Sequence, residues 1–363
     1  MTPTTLALVV VQALSPIGAA SQDWRTDFSH RTVPLDEIVP GGPPKDGIPA
    51  IDRPRFESVA EAARWLGARE PVAVVTVGDE ARAYPLQILV WHEIVNDAIA
   101  GQSVAVTYCP LCNTALAFDR RLDGVVLDFG TTGRLRYSDL VMYDRQTESW
   151  WQQATGEGIV GTYAGRRLRF IPAPVMSWRD FRTTYPDGSV LSRNTGYVRS
   201  YGRNPYAGYD TRSGPIAGFF RGARDARLPA LERVVAVDWG GGSVAYAFLL
   251  LRRTRVVHDE VGSVPVVIFW VSGTASALDA AEIAEGRDVG ATAVFDRRVD
   301  GRVLSFEAMA DGRFRDRATG TTWDLSGRGA SGPLASRRLT AIPHGNHFWF
   351  AWAAFRPETK LVR

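Results

Sequence analysis

The apolar positions of this chain fall in short runs closed by Gly, Pro or Asp, the pattern of strands joined by turns. Val72 to Val77 is one such run; the turn Gly78-Asp79-Glu80 follows it, and Ala81 to Tyr84 alternates back. Val104 to Tyr108 predicts a strand that delivers the chain to Cys109. Ala115 to Phe118 and Val125 to Phe129 flank Asp123-Gly124, a pair that favours a hairpin because both residues tolerate positive φ. Helical spacing is confined to a few places. Ser58 to Gly67 sets Val59, Ala62, Ala63 and Leu66 on one face behind Ser58 as N-cap. Pro85 opens a predicted helix over Pro85 to Asn96, and Ser177 to Tyr185 predicts a short helix stopped before Pro186. Phe348-Trp349-Phe350-Ala351-Trp352 reads as a closing strand. The expected class is α+β, predominantly β.

The pattern also repeats. Phe118-Asp119-Arg120-Arg121-Leu122-Asp123-Gly124 returns as Phe295-Asp296-Arg297-Arg298-Val299-Asp300-Gly301. Tyr143-Asp144-Arg145 returns as Arg315-Asp316-Arg317, Trp151 as Trp323, and Arg166-Arg167-Leu168 as Arg337-Arg338-Leu339. Ala83-Tyr84 matches Ala245-Tyr246, and the matches keep one order. Two diverged copies of one β-rich unit are therefore expected, over 72–175 and 234–363. A lead-in loop and helix (21–71) precede them. An insert with a helix and a long Tyr-, Gly- and Arg-rich loop (176–233) separates them.

Composition adds limits. A chain of 363 residues with 45% hydrophobic and 22% charged residues is expected to fold rather than stay disordered. A net charge of +3 and no basic run argue against a nucleic-acid partner. Leu6 to Leu14 is a short apolar run followed by Gly18, Ala19 and Ala20, which predicts a signal peptide over 1–20 and an extracytoplasmic protein, periplasmic or secreted, of a bacterium. No Lys or Arg precedes the run. No other stretch is long and apolar enough to predict a transmembrane helix.

Two cysteines are the only ones present, spaced as Cys109-Pro110-Leu111-Cys112. A strand ending in Cys-Pro-x-Cys turns both sulfurs towards one point. That shape suits a transition metal such as copper, zinc or iron, a redox dithiol, or a plain disulfide. The second copy has Val271 and Thr274 at those positions, and Arg252-Arg253-Thr254-Arg255 where the first has Val90-Trp91-His92-Glu93. It also carries an insertion, Ala275 to Ala291. Joint loss groups His92 with Cys109 and Cys112 as a metal set. Asn96, a turn further along the predicted helix, would orient the imidazole, and Glu93 would serve as an acid or base. Arg193, Asn204, Tyr206 and Tyr209 of the insert are candidates for shaping a pocket. His344 and His347 read as structural or surface residues.

Several stretches together resemble a bacterial and archaeal family known as domain of unknown function 3179. They include Gly42-Pro43-Pro44-Lys45-Asp46-Gly47-Ile48-Pro49-Ala50, Trp91-His92-Glu93-Ile94-Val95-Asn96-Asp97, Tyr108-Cys109-Pro110-Leu111-Cys112 and Leu140-Val141-Met142-Tyr143-Asp144-Arg145. The resemblance spans roughly residues 24 to 360. It implies an exported or lipid-anchored protein and carries no activity; no Cys follows the apolar run to take a lipid. The expectation is an exported metal-binding or metal-dependent protein. The alternatives are a thiol–disulfide oxidoreductase using the same Cys pair and a non-catalytic binding module.

Overall fold

The computed structural model describes residues 24–363; the expected signal segment lies outside them. The chain is β-rich, with five short α-helices among the described residues. None of them is long and apolar enough to cross a membrane.

In the N-terminal half, β1 (Pro71–Val77) and β2 (Glu80–Pro85) form an antiparallel pair. Val175–Ser177 lies beside β1, and Ser189–Leu191 runs parallel to β2. Helix α1 (Val59–Ala62) carries a capping box between Ser58 and Glu61, and α2 (Leu86–His92) follows β2 directly. The next sheet holds β3 (Ile94–Ile99), β4 (Gln102–Cys109) and β5 (Thr114–Asp119). A third sheet holds β6 (Phe129–Arg136), β7 (Asp139–Asp144), β8 (Trp150–Gln152) and β9 (Glu157–Val160).

The C-terminal half has the same strand orders except that, among the described residues, it lacks the outer strands Phe56–Ser58 and Ile38–Pro40 of the N-terminal sheets. β10 (Arg233–Trp239) and β11 (Gly242–Ala247) lie between Gly345–Phe348 and Lys360–Val362, the latter again parallel. β12 (Val256–Val261), β13 (Val264–Val271) and β14 (Ala291–Asp296) follow β12-β13-β14 as β3-β4-β5 do. β15 (Phe306–Ala308) and β16 (Phe314–Asp316) pair as β6 and β7 do, but Phe306 faces Asp316 where Phe129 faces Asp144, so the first hairpin is longer by five residues. Individual hydrogen bonds recur as well. The Tyr84 hydroxyl donates to Asp97 and the Tyr246 hydroxyl to Asp259. The Trp151 indole donates to Asp144 at 2.9 Å and the Trp323 indole to Asp316 at 3.0 Å.

Two expected elements are corrected. The helix predicted to run to Asn96 ends at His92, because Glu93 adopts the left-handed conformation (φ 58°) and the β-branched Ile94 and Val95 enter β3. Asn96 is thus a strand residue. Phe348 to Trp352 is not a strand; Trp349–Phe355 is a helix, α5, equivalent in place to α3 (Trp178–Thr184). Almost every residue of α5 is buried, so it has no polar face and no helical period to read.

The core crosses the halves. Trp178 and Phe181 of α3 belong to one apolar cluster with Val72, Val74, Phe269, Phe314 and Trp323. A second cluster holds Cys109, Cys112, Phe118, Phe129, Met142 and Trp151 together with Leu278, Phe348 and Phe350.

Candidate metal centre

Cys109 ends β4, and Pro110–Cys112 forms one 3-10 turn closed by Asn113 at φ 54°. The turn reverses the chain into β5, with Cys109 opposite Thr114. Both sulfurs point into the second apolar cluster and both thiols are free and buried. The longer hairpin of the first half meets them there. Tyr137 and Ser138 at its tip both have positive φ, and the Ser138 N–H donates to the Phe219 carbonyl at 2.9 Å. This aims the Ser138 carbonyl at the sulfurs: it accepts from the Cys112 thiol at 3.2 Å and the Cys109 thiol at 3.6 Å.

Asp139 follows at once. One ligand atom each of Cys109, Cys112 and Asp139 lie within 4.8 Å of one another. Zinc bonds of about 2.0–2.3 Å bring such atoms a little closer than that, so a modest contraction would close the set. Asp139 Oδ2 accepts from the Gln152 amide at 2.6 Å and the Ala154 N–H at 2.9 Å. Its Oδ1 is buried with no hydrogen-bond partner among the described residues, as is the Ser138 hydroxyl. Orphaned buried acceptors of this kind are rare and call for a physical reason.

Burial dominates the electrostatics. It raises both thiols, Cys112 the more, with Cys109 adding to the effect on Cys112. It pushes Asp139 up to about 7 against the pull of its hydrogen bonds from Ala154 and Gln152 and of the neighbouring Cys112 and Cys109 thiols. It pushes Glu93 up to about 8, with the nearby Asp139 charge acting in the same direction. Thiolates and carboxylates so crowded out of water need a cation beside them to remain charged.

Of the residues expected here, the structure brings Cys109, Cys112 and Glu93 to one place and sets His92 apart. The metal set expected from joint loss is therefore corrected in one member: the sulfurs are grouped with Asp139, not with His92. The His92 Nδ1–H donates to the Pro49 carbonyl at 2.7 Å, which leaves Nε2 to accept from the Tyr201 hydroxyl at 2.7 Å. Both ring nitrogens are spent. Nor does Asn96 orient that ring. Its amide donates to Asp52 and the Phe129 carbonyl, and accepts from the Phe129 N–H, tying β3 to β6. Arg193 bonds the Gln87 amide oxygen and lies over the Trp65 ring, in a separate network.

The loop of the insert covers the site. The Tyr209 hydroxyl donates to the Leu111 carbonyl at 3.0 Å. Tyr206 lies beside Glu93 and Cys109, whose charges add to burial in raising its phenol. Asn204 shapes the loop, accepting from the Tyr206 N–H and donating to the Ala280 carbonyl. That carbonyl belongs to the insertion of the C-terminal half, which also accepts from the Asn204 and Gly208 N–H groups at Ala281 and Asp279. Asp210 completes the clamp with its side chain fully buried. It accepts from Arg233 and Arg287 at 2.8 Å and from Ser276 at 2.6 Å. Burial works against its charge, and Arg233, Ser276 and Arg287 outweigh it and hold its carboxyl below the usual range.

Asp139 is the candidate ligand that the reading of the sequence missed. Its signal was the five extra hairpin residues of the first half, visible only when the halves are aligned with a gap.

A family model described as "Protein of unknown function (DUF3179)" matches residues 45–359. No curated protein and no solved structure matches the chain.

Proposed function

Since this chain belongs to the DUF3179 family, whose description carries no activity, we propose from the geometry alone that it is a metal-binding protein with a buried centre of Cys109, Cys112 and Asp139. The observation that carries this reading is the convergence of two buried sulfurs and a buried carboxylate oxygen that lacks a hydrogen-bond partner among the described residues. Two thiolates and one carboxylate are a borderline-soft set that suits zinc, and the sulfurs also suit copper(I) or iron. The Ser138 carbonyl, which accepts from both thiols, is the candidate for a fourth ligand. Glu93 and Tyr206 lie next to the centre, as groups that could exchange a proton with a metal-bound molecule.

The dithiol reading has one observation in its favour: a buried carboxylate beside both sulfurs can take a thiol proton. Against it, burial raises both thiols, whereas exchange needs an accessible thiolate. We further propose that the halves are diverged copies, supported by their shared strand orders and recurring hydrogen bonds, and that the protein acts outside the cytoplasm.

Titration of the metal-free protein with cobalt(II) tests the proposal. The expected result is one equivalent bound with a thiolate-to-cobalt charge-transfer absorption that disappears in Cys109→Ser and Cys112→Ser. Binding without that absorption, or absorption that survives both substitutions, would overturn it.

A further inference from the structure

The C-terminal half has an open cleft of about 900 Å³ where the N-terminal half has its buried centre. Its walls follow from the shared register. Arg255 caps α4 (Phe248–Thr254) at φ 63°, as Glu93 caps α2 at φ 58°. Trp270 and Val271 end β13 where Tyr108 and Cys109 end β4. The turn carrying Asp311, Gly312 and Arg313 stands in for the longer hairpin that brings Asp139 to the sulfurs. The missing hairpin residues leave this place open instead of filled.

The charges are reversed as well. Arg179 of α3, Arg255, Arg313 and Arg328 all line the cleft. Three carboxylates share it, and each is turned to a local partner. Asp180 lies 3.5 Å from Arg179. Asp311 lies 2.7 Å from Arg313. Asp324 accepts from the Ser326 N–H and hydroxyl and from the Arg328 N–H. Among the described residues, no carboxylate lies within ion-pair distance of the Arg255 or Arg328 guanidinium. Trp270, also in the lining, is buried with an indole N–H that has no acceptor. Surplus guanidinium donors in a concave site are the arrangement that recognises oxyanions through forked hydrogen bonds.

We propose that this cleft binds a small oxyanion with more than one negative charge, of the phosphate or polycarboxylate class, with Arg255 as its central contact and Arg179, Arg313 and Arg328 around it. The site is distinct from the sulfur centre and does not depend on a metal there. The two halves would then hold opposite sites on one framework, a cation in the first and an anion in the second.

Calorimetric titration of the full chain at low salt with inorganic phosphate and with citrate tests this, the two probes separating the two kinds of oxyanion. At least one should bind at one equivalent, and Arg255→Gln should weaken it tenfold or more. Arg121→Gln, on the exposed hairpin of the first half, should bind as wild type does. Unchanged thermal melting of Arg255→Gln would show that the fold is intact. Should that variant melt lower, Arg328→Gln, on the exposed rim, serves in its place and should weaken binding at least threefold. Absence of binding by both probes, or equal binding by wild type and a folded Arg255→Gln or Arg328→Gln, would overturn the proposal. Loss of metal from a Cys109→Ser variant should leave oxyanion binding unchanged, which separates this site from the first.

Discussion

Asp139 has one oxygen held by Gln152 and Ala154 and the other without a partner, directly beside two buried thiols. That contrast within one carboxylate is what makes it a candidate ligand rather than an ordinary core hydrogen-bonding group. His92 is the opposite case: both nitrogens are satisfied, one by the Pro49 carbonyl and the other by Tyr201 of the insert's loop. The cysteines were legible because they are the only two in the chain and sit at a strand end. Asp139 was not, because an Asp beside a Ser in a turn has the ordinary look of turn chemistry. A separate residue-scale consequence concerns His347, which is buried and hydrogen-bonded to the Thr114 hydroxyl at 2.8 Å. Burial, with His344 adding to it, pushes its pKa down to about 3. The folded protein therefore keeps this ring neutral while the unfolded chain takes up a proton near pH 6.5. Stability is unaffected above that pH and is lost as pH falls from about 6.5 towards 3, by a few kcal/mol in all. Urea unfolding at pH 8, 6, 5 and 4 should show a shallower loss in His347→Gln than in wild type; equal slopes would contradict the assignment.

At the scale of elements, the two misread segments share a cause. Helices α2 and α5 are seven residues long and almost wholly buried, so neither shows a polar face whose period marks its ends. The strands were easier, since Gly and Asp turns bound them on both sides. What the reading could not supply was the pairing between the covering loop and the insertion at Ala275 to Ala291, which are distant in sequence and lack pattern. Asp210 fixes that pairing through two arginines. Removing one partner of a buried charge cluster costs about 3–5 kcal/mol. Asp210→Ala is expected to lower stability on that scale in urea unfolding and to expose Cys109 and Cys112 to a thiol reagent at least tenfold faster. Reaction at the wild-type rate would show that the loop does not guard the sulfurs.

Across the whole molecule, the halves repeat one plan but do not stand alone. Trp178 and Phe181 pack with Phe269, Phe314 and Trp323, and the sulfur cluster includes Phe348 and Phe350 from the far end of the chain. Residues 24–232 expressed by themselves should leave both surfaces exposed and fail to melt cooperatively, whereas the full chain should unfold in one transition by calorimetry. The likeness of the halves was readable because hairpin motifs recur in order; the proposed division of labour between them was not, since it rests on a hairpin that is shorter in one half and on Arg255 standing where the other half has Glu93. The central claim is the sulfur–carboxylate centre, and elemental analysis of purified protein tests it most directly. Wild type and His92→Gln should each carry one transition metal per chain. Cys109→Ser and Asp139→Asn should lose it wholly or in large part. Metal lost from His92→Gln but kept in Asp139→Asn, or metal-free wild type that takes up none when supplied with zinc, copper(I) or iron, would contradict the account.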